Sequence, residues 1–566
     1  MKFIKKVILF TILIFIAFYF FLVALTIRQT KRFFQNPTAC SPFQSHLFSF
    51  ASTTTSITLS PLRLLPFSNT KTLAYLPSQF FNVLSTSCRL TYYLNLFIQH
   101  PTLSNLQTLQ SLYSTFTNNL YYFYQTYSYL NYPFLNRFTP FDSPHQLSDL
   151  VNLALNLKPF INSANILLGF NKTQTYYILT QNNLELRPSG GFLGSYIKIK
   201  VNKAKIQSIT FHDVYEKDGD LPGHVNPPTP IQTAFQTGFW RLRDANWDVD
   251  FNQAAQDIAW FLTQSKEEAP FTIIAMNLST IQSLISLLPP IKLPDDNIII
   301  TADNLYQTLH PSIETNFYPG SKTKPRLLTH LGIASLNTLR NSSFATKLKI
   351  INFIYKDLNH RNLFIHIFNP TLQSYISKLQ WDGGIYYQPS QNPNLFSDYF
   401  YLTESNLGAN KMNCCVNRTL NHQITLSSHQ VHHQINVSYD HFGNKDYPYL
   451  KLGRYLAYIR FIVPDAAYDI KLKFNHQTIK PQLTILPNNL LQIGFFIQIK
   501  PYTNPVLTIN YTLPINSAIK NYQLTIQRQP GLVYFHNLTV KTKNKILLTK
   551  YFPVNKDYKF YLKINQ

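Results

Sequence analysis

The chain has 566 residues, too many for one hydrophobic core, so about two to four domains are expected. Charged residues make up 13%, about half the usual ~25%, and aromatics reach 15%, so Asn, Gln, Ser and Thr must supply most of the polar surface. Lysine and arginine number 50 against 26 acids; the net +24 reflects missing acids, and with no basic cluster or zinc-finger spacing it argues against nucleic acid and leaves anionic lipid or envelope polymer beside a merely biased composition.

Residues 7–27, "VILFTILIFIAFYFFLVALTI", carry no charge and are long enough to cross the ~30 Å hydrocarbon core of a bilayer. Lys2, Lys5 and Lys6 precede them, and Arg28, Lys31 and Arg32 follow. With no short apolar region and small-residue cleavage site, the stretch reads as an uncleaved signal anchor with the bulk of the chain extracytoplasmic.

Residues 70–165 have helical periodicity. Leu106, Leu109, Tyr113, Phe116, Leu120, Phe123, Tyr127 and Leu130 form a heptad seam, and residues 74–99, across Pro101, supply its partner in a helical hairpin or stalk. Residues 172–320 alternate strand and helix signals. "SYIKIKVNKAKIQSITF" reads as a hairpin around Asn202 and Lys203. "VDFNQAAQDIAWFL" reads as a helix capped by Asp250, with Gln253 completing a capping box. "FTIIAMN" and "NIIITADNLYQTL" add further strand and helix signals, and residues 325–380 are mostly helical. From residue 420, short alternating runs such as "VHHQINVSY" and "YLAYIRFIV" recur; His433 falls in register with Val431, Ile435 and Val437, as a half-buried strand residue rather than a metal ligand. The expected fold class is α+β and multidomain: a transmembrane anchor at 1–30, a helical hairpin at 31–165, an α/β core with a mixed sheet at 166–415, and an all-β sandwich at 416–566. Cys40, Cys88, Cys414 and Cys415 show no metal spacing; bridging the adjacent pair is strained, and at most one bridge is expected.

The acids are unevenly placed. None precedes Asp142, yet seven fall between Asp213 and Asp250. Three stretches around them hold the candidate chemistry. "LRPSGGFLGSY" offers Arg187 as a planar donor beside Gly190 and Gly191, but no lysine in Walker spacing and no following helix, so a pocket rim fits better than a phosphate loop. "FHDVYEKDGDLPGHVNPP" places Asp213 at a strand end, with Asp218 and Asp220 around Gly219. "WRLRDANWDVDF" places Arg241, Arg243, Asp244 and Asn246 ahead of a helix start. Arg187, Arg241, Arg243 and Asn246 are the candidate ligand-binding residues; Asp213 and Asp244 are the candidate catalytic residues and would hold Mg²⁺. Arg–Asp pairs locking a loop are the competing explanation.

These motifs, with "DVYEKD", "LQWDGG" at 379–384, "NLGANKMNCCVNR" at 406–418, "LGRYLAYIRFIVP" at 452–464 and the stretch "IQRQPG" starting at Ile526, resemble a bacterial family known as domain-of-unknown-function family 4012. The resemblance covers nearly everything after about residue 70 and implies a single-pass envelope protein of unestablished activity. A fainter likeness, in the order of the Arg–Asp motif, "APFTIIAMNLSTIQSLISLLPPIKLP" and "ITADNLYQTL", reaches the LytR–CpsA–Psr family. It implies phosphotransfer of glycopolymer from a polyprenyl-pyrophosphate carrier with Mg²⁺, although Leu288, Pro289 and Pro290 stand where that family has glycines. Two functions are carried forward: an anchored protein that binds or transfers lipid-linked or anionic envelope glycopolymer, and a non-enzymatic surface scaffold or adhesion protein. They differ in whether the arginines and aspartates meet in an open cleft or pair off inside the fold.

Overall fold

The computed structural model describes residues 25–33, 40–64, 68–130, 144–293, 298–308, 323–448, 450–515 and 520–564. They divide into two compact units, Met1–Gln174 with Val201–Ile206, and Thr175–Lys200 with Gln207–Gln566.

The first unit is built of helices α1 (Pro42–Thr58), α2 (Ser68–Gln99), α3 (Leu103–Leu130) and α4 (Pro144–Asn162). Ser41 starts α1 through a capping box: its hydroxyl accepts from the Gln44 amide at 3.3 Å, and the Gln44 side chain accepts from the Ser41 amide at 3.0 Å. A Cys40–Cys88 disulfide ties this start to α2. On α3, Leu106, Leu109, Leu120, Phe123, Tyr127 and Leu130 are buried, but Tyr113 and Phe116 are half-buried while Leu112 and Thr117 lie inside. The departure from a strict seam has a simple cause. Helix α4 also packs on α3, and the Tyr113 hydroxyl donates to the Ala154 carbonyl at 3.0 Å, so α3 buries a wider stripe than a two-helix seam needs.

The expected fold class is corrected in one element. Among the described residues no helix is long and apolar enough to cross a membrane. The first described helical stretch, 25–33, carries Arg28, Lys31 and Arg32, and at ~1.5 Å per residue is about half as long as a bilayer core requires. Residues 7–24 of the expected span lie outside the described residues.

The second unit joins an α/β layer to a β-sandwich. Strands β1 (Gln174–Asn182), β2 (Phe192–Asn202), β3 (Lys205–Asp213), β4 (Thr272–Asn277) and, after the two-stranded β5 (Ile291–Leu293) and β6 (Ile298–Ile300), β7 (Leu363–Ile367) form the first sheet in the order β3-β2-β1-β4-β7. β1 and β4 run parallel and β4 and β7 antiparallel, so the sheet is mixed as expected. Lys203 and Ala204 both have positive φ, the conformation a tight hairpin turn demands between β2 and β3. Helices α5 (Val214–Asp218), α6 (Thr229–Phe235), α7 (Phe251–Gln264), α8 (Leu278–Ser286), α9 (Thr323–Asn341), α10 (Phe344–Asn359) and α11 (Pro370–Lys378) complete the layer. Ala254, Ala255, Ile258 and Leu262 of α7 are buried in the core shared with β1 and β4. Asp250 caps α7 by accepting from the Asn252 amide at 2.9 Å; Gln253 does not close a capping box but donates to Asp257 at 3.0 Å. Strand β7 interrupts a stretch expected to be mostly helical.

The sandwich has a seven-stranded sheet, β13-β12-β16-β10-β9-β18-β19, and a six-stranded sheet, β14-β15-β11-β8-β17-β20. Its strands are β8 (Leu395–Asn406), β9 (Val416–Leu426), β10 (Gln430–His441), β11 (Tyr455–Pro464), β12 (Tyr468–Phe474), β13 (Gln477–Thr478), β14 (Gln482–Leu486), β15 (Leu490–Ile499), β16 (Val506–Pro514), β17 (Asn521–Gln527), β18 (Phe535–Thr542), β19 (Ile546–Pro553) and β20 (Tyr558–Lys563). β8 pairs with both β11 and β17, so the sandwich takes in residues ahead of 416. Alternation sets the inner face: on β10, Val431, His433, Ile435 and Val437 are buried. Cys414 and Cys415 are bridged, giving two disulfides where at most one was expected.

Candidate functional site

The loop between β1 and β2 is held from both sides. Gly190 has φ +130°, and a Cβ on Gly191 would lie 2.3 Å from the Asn182 carbonyl, so neither position tolerates a side chain. Leu186 enters the sandwich core; its amide donates to the Asn413 side chain at 3.0 Å, and its carbonyl accepts from the Asn406 amide at 3.0 Å. The loop is therefore a plug between the α/β layer and the sandwich.

Arg187 is fully buried. One guanidinium nitrogen faces Asp244 at 3.2 Å and Glu185 at 3.4 Å. The other donates to the carbonyls of Leu186 at 3.0 Å and Asn406 at 2.5 Å. Arg243 reaches the second oxygen of Asp244 at 3.6 Å and Asp218 at 3.4 Å, with its guanidinium 5.1 Å from the Tyr215 ring centre. Arg241 donates to the Asp218 carbonyl. Buried Asn246 donates to Ser189 at 2.9 Å and the Gly191 carbonyl at 2.8 Å, which holds the plug shut. Asp213 caps α5, accepting from the Tyr215 amide at 3.0 Å. The structure thus brings Arg187, Arg243 and Asp244 into one chain of contacts, sets Arg241 and Asn246 against its ends, and gives Asp213 a capping bond.

Burial pushes the Asp218 carboxyl up to about 6, with the Arg243 charge pulling against it. Burial likewise raises Glu185, opposed by Arg187. Both shifts mark carboxylates that water reaches poorly.

A Mg²⁺ ion needs oxygen ligands that are free to turn toward it. The two oxygens of Asp244 each face a guanidinium, and an oxygen of the other expected ligand, Asp213, accepts the capping bond from the Tyr215 amide. Among the described residues no group of three or more His, Cys, Asp or Glu side chains is arranged to hold a metal. This donor set does not fit Mg²⁺.

The same seam contains residues that the motif reading left without a role. Gln529, wholly buried, accepts from the Glu404 amide at 2.7 Å and donates to the carbonyls of Glu404 at 2.8 Å and Arg187 at 3.0 Å. Arg418 grips Glu404 through contacts of 2.8–3.0 Å, and the hydroxyls of Tyr439 and Tyr455 donate to the same carboxylate at 3.1 and 2.6 Å. Arg460 donates to the Trp247 carbonyl at 3.0 Å and lies 4.1 Å from that indole, linking "RDANW" to β11. Asp382 of "LQWDGG" accepts from Asn252 at 3.1 Å and Ser377 at 2.6 Å beside the start of α7. The available signal was a charge at an inward position of an apolar strand, as in Glu404 and Arg418.

Residues 171–313 match the model of a family described as "Protein of unknown function (DUF4012)". No curated protein matches the chain. Among solved structures, a protein from Legionella pneumophila subsp. pneumophila str. Philadelphia 1, provisionally described as nutrient binding, is 11% identical, with a TM-score of 0.18. The match covers 22% of this chain and 50% of that one, so the chain spans half the length of that protein, and a likeness at this level defines neither fold nor activity.

Proposed function

We propose that the chain is a non-enzymatic scaffold on the extracytoplasmic side of a cell membrane, with an anionic envelope polymer as partner. The observation that carries this reading is the burial of Arg187 with its guanidinium directed at Asp244, Glu185 and two main-chain carbonyls. A phosphotransferase of the LytR–CpsA–Psr kind needs Arg187, Arg241 and Arg243 for a pyrophosphate and Asp213 and Asp244 for Mg²⁺. Here these arginines are engaged by the protein's own oxygens. The two disulfides favour an oxidising compartment, and the net charge of +24 favours a polyanion.

The test compares Arg187→Met with Arg243→Ala in the full chain. Removing a buried pairing partner lowers stability by roughly 3–5 kcal/mol, whereas the more exposed Arg243 costs at most about 1 kcal/mol. Recovery of polyprenyl-pyrophosphate glycan with the purified protein is expected to be the same for wild type and Arg243→Ala. A folded Arg243→Ala protein that loses such a lipid would overturn the scaffold reading.

A further inference from the structure

The outer face of the seven-stranded sheet has a chemistry unlike the rest of the molecule. Reading across the strands by register, Lys473, Thr508, Asn436, Asn421, Asn537 and Tyr551 stand side by side, one from each of β12, β16, β10, β9, β18 and β19. Two residues along, the next row is Lys471, Asn510, Gln434, Gln423, Thr539 and Thr549. All but Thr549 have a buried core residue next to them along the strand, and all twelve are exposed or half-buried. With strands ~4.8 Å apart and alternate residues nearly 7 Å apart, the rows span about 24 Å across the sheet.

The face is rich in hydrogen-bonding groups that the protein leaves unused. Thr508 donates to Asn436 at 2.8 Å, and Asn537 donates to Asn421 at 3.1 Å. These bonds occupy one amide oxygen on each acceptor and leave both NH₂ groups free among the described residues. Gln423, Gln434 and Asn510 make no side-chain hydrogen bond to any described residue. At one end of the rows Phe535 and Tyr551 are stacked, 5.3 Å between ring centres and 6° from coplanar, and both are exposed. At the other end stand Lys471 and Lys473. The rows hold no carboxylate; the nearest acids are Asp469, ion-paired to Lys471 at 3.0 Å, and Asp440, further along β10.

The geometry points to this face as the binding platform for a polysaccharide that carries acidic groups. Sugar rings present hydroxyls to free amides and C–H faces to aromatic rings, and a flat array of both suits an extended chain of them. Lys471, Lys473 and Lys541, the last in the adjoining row, supply the charge complement. A lipid surface is disfavoured because the two rows contain no aliphatic side chain, and a second protein because interface cores are apolar. The assignment rests on the scaffold reading only for the polyanionic class of the partner, and it concerns a different face from the Arg187 seam.

The test uses the full chain with alginate, a uronic-acid polymer, as probe, and with dextran, polyglutamate and anionic phosphatidylglycerol vesicles as comparisons. The expected result is alginate binding that exceeds binding to all three comparisons and weakens by roughly tenfold in Asn421→Asp/Gln434→Glu and again in Tyr551→Ala. Thermal unfolding of the variants checks that the fold is intact. Failure of wild type to bind alginate, equal binding by folded variants, or equal capture of dextran, polyglutamate or vesicles would overturn the platform. Arg243→Ala should leave alginate binding unchanged, so failure of the platform can be told from failure of the scaffold reading.

Discussion

The seam around Arg187 and the outer face of the seven-stranded sheet are both polar, but they dispose of their polarity in opposite ways. In the seam, charged groups are buried and matched to one another. On the sheet face, neutral groups are exposed and few of their hydrogen bonds are made internally. A concentration of acids in a chain poor in acids looks like chemistry, yet in this structure Asp218 and Asp244 face arginines of their own layer. The less conspicuous Asn, Gln and Thr composition supplies the accessible surface.

The difference predicts a graded set of responses. The largest is expected for Glu404→Ala, which leaves Arg418 buried without its counter-charge and should cost roughly 3–5 kcal/mol in denaturant unfolding. An effect below 1 kcal/mol would mean that water enters this part of the sandwich. Gln529→Ala removes the side-chain partner of both the Glu404 amide and the Glu404 carbonyl, and a loss of about 2 kcal/mol is expected by the same measurement.

The next effect depends on pH. Because burial raises the folded-state carboxyl of Asp218 to about 6 from an ordinary 3.8, the folded chain holds this proton where the unfolded chain releases it. Its contribution to stability therefore falls as pH rises from about 4 to about 6, by on the order of 2 kcal/mol. Asp257, also raised by burial to about 6, acts in the same direction. Asp218→Asn should flatten this part of the stability-against-pH curve, and an unchanged curve would show that Asp218 is well solvated. The smallest effect is expected for Asn421→Asp on the open face, within about 0.5 kcal/mol of wild type in thermal unfolding. A larger loss there would mean that the face is internally bonded.

What was legible in the sequence was local. The β2–β3 turn, helix α7 with its Asp250 cap, and the inward position of His433 follow from periodicity and turn chemistry within a few residues. β7 was hidden because "LFIHI" is a short run inside a longer helical stretch, where apolar periodicity does not separate strand from buried helix. The capping box failed because Gln253 found Asp257 one turn ahead. The meeting of Arg187, Arg243 and Asp244 could be anticipated from the unusual density of charge, but its burial could not. Closing the lid on Arg187 involves Gln529, 342 residues further along the chain, and no local pattern carries that information.

Strands β17 and β18 run parallel beside β8 and β9, one pair in each sheet of the sandwich. Neither sheet can be completed until β17 and β18, which follow β8 and β9 by more than a hundred residues, have been made. A nascent chain released too early would present two unfilled strand borders to its neighbours, an invitation to clump. Premature stop codons that fall after β9 and before β17 should therefore yield insoluble debris rather than a shortened, partly working protein.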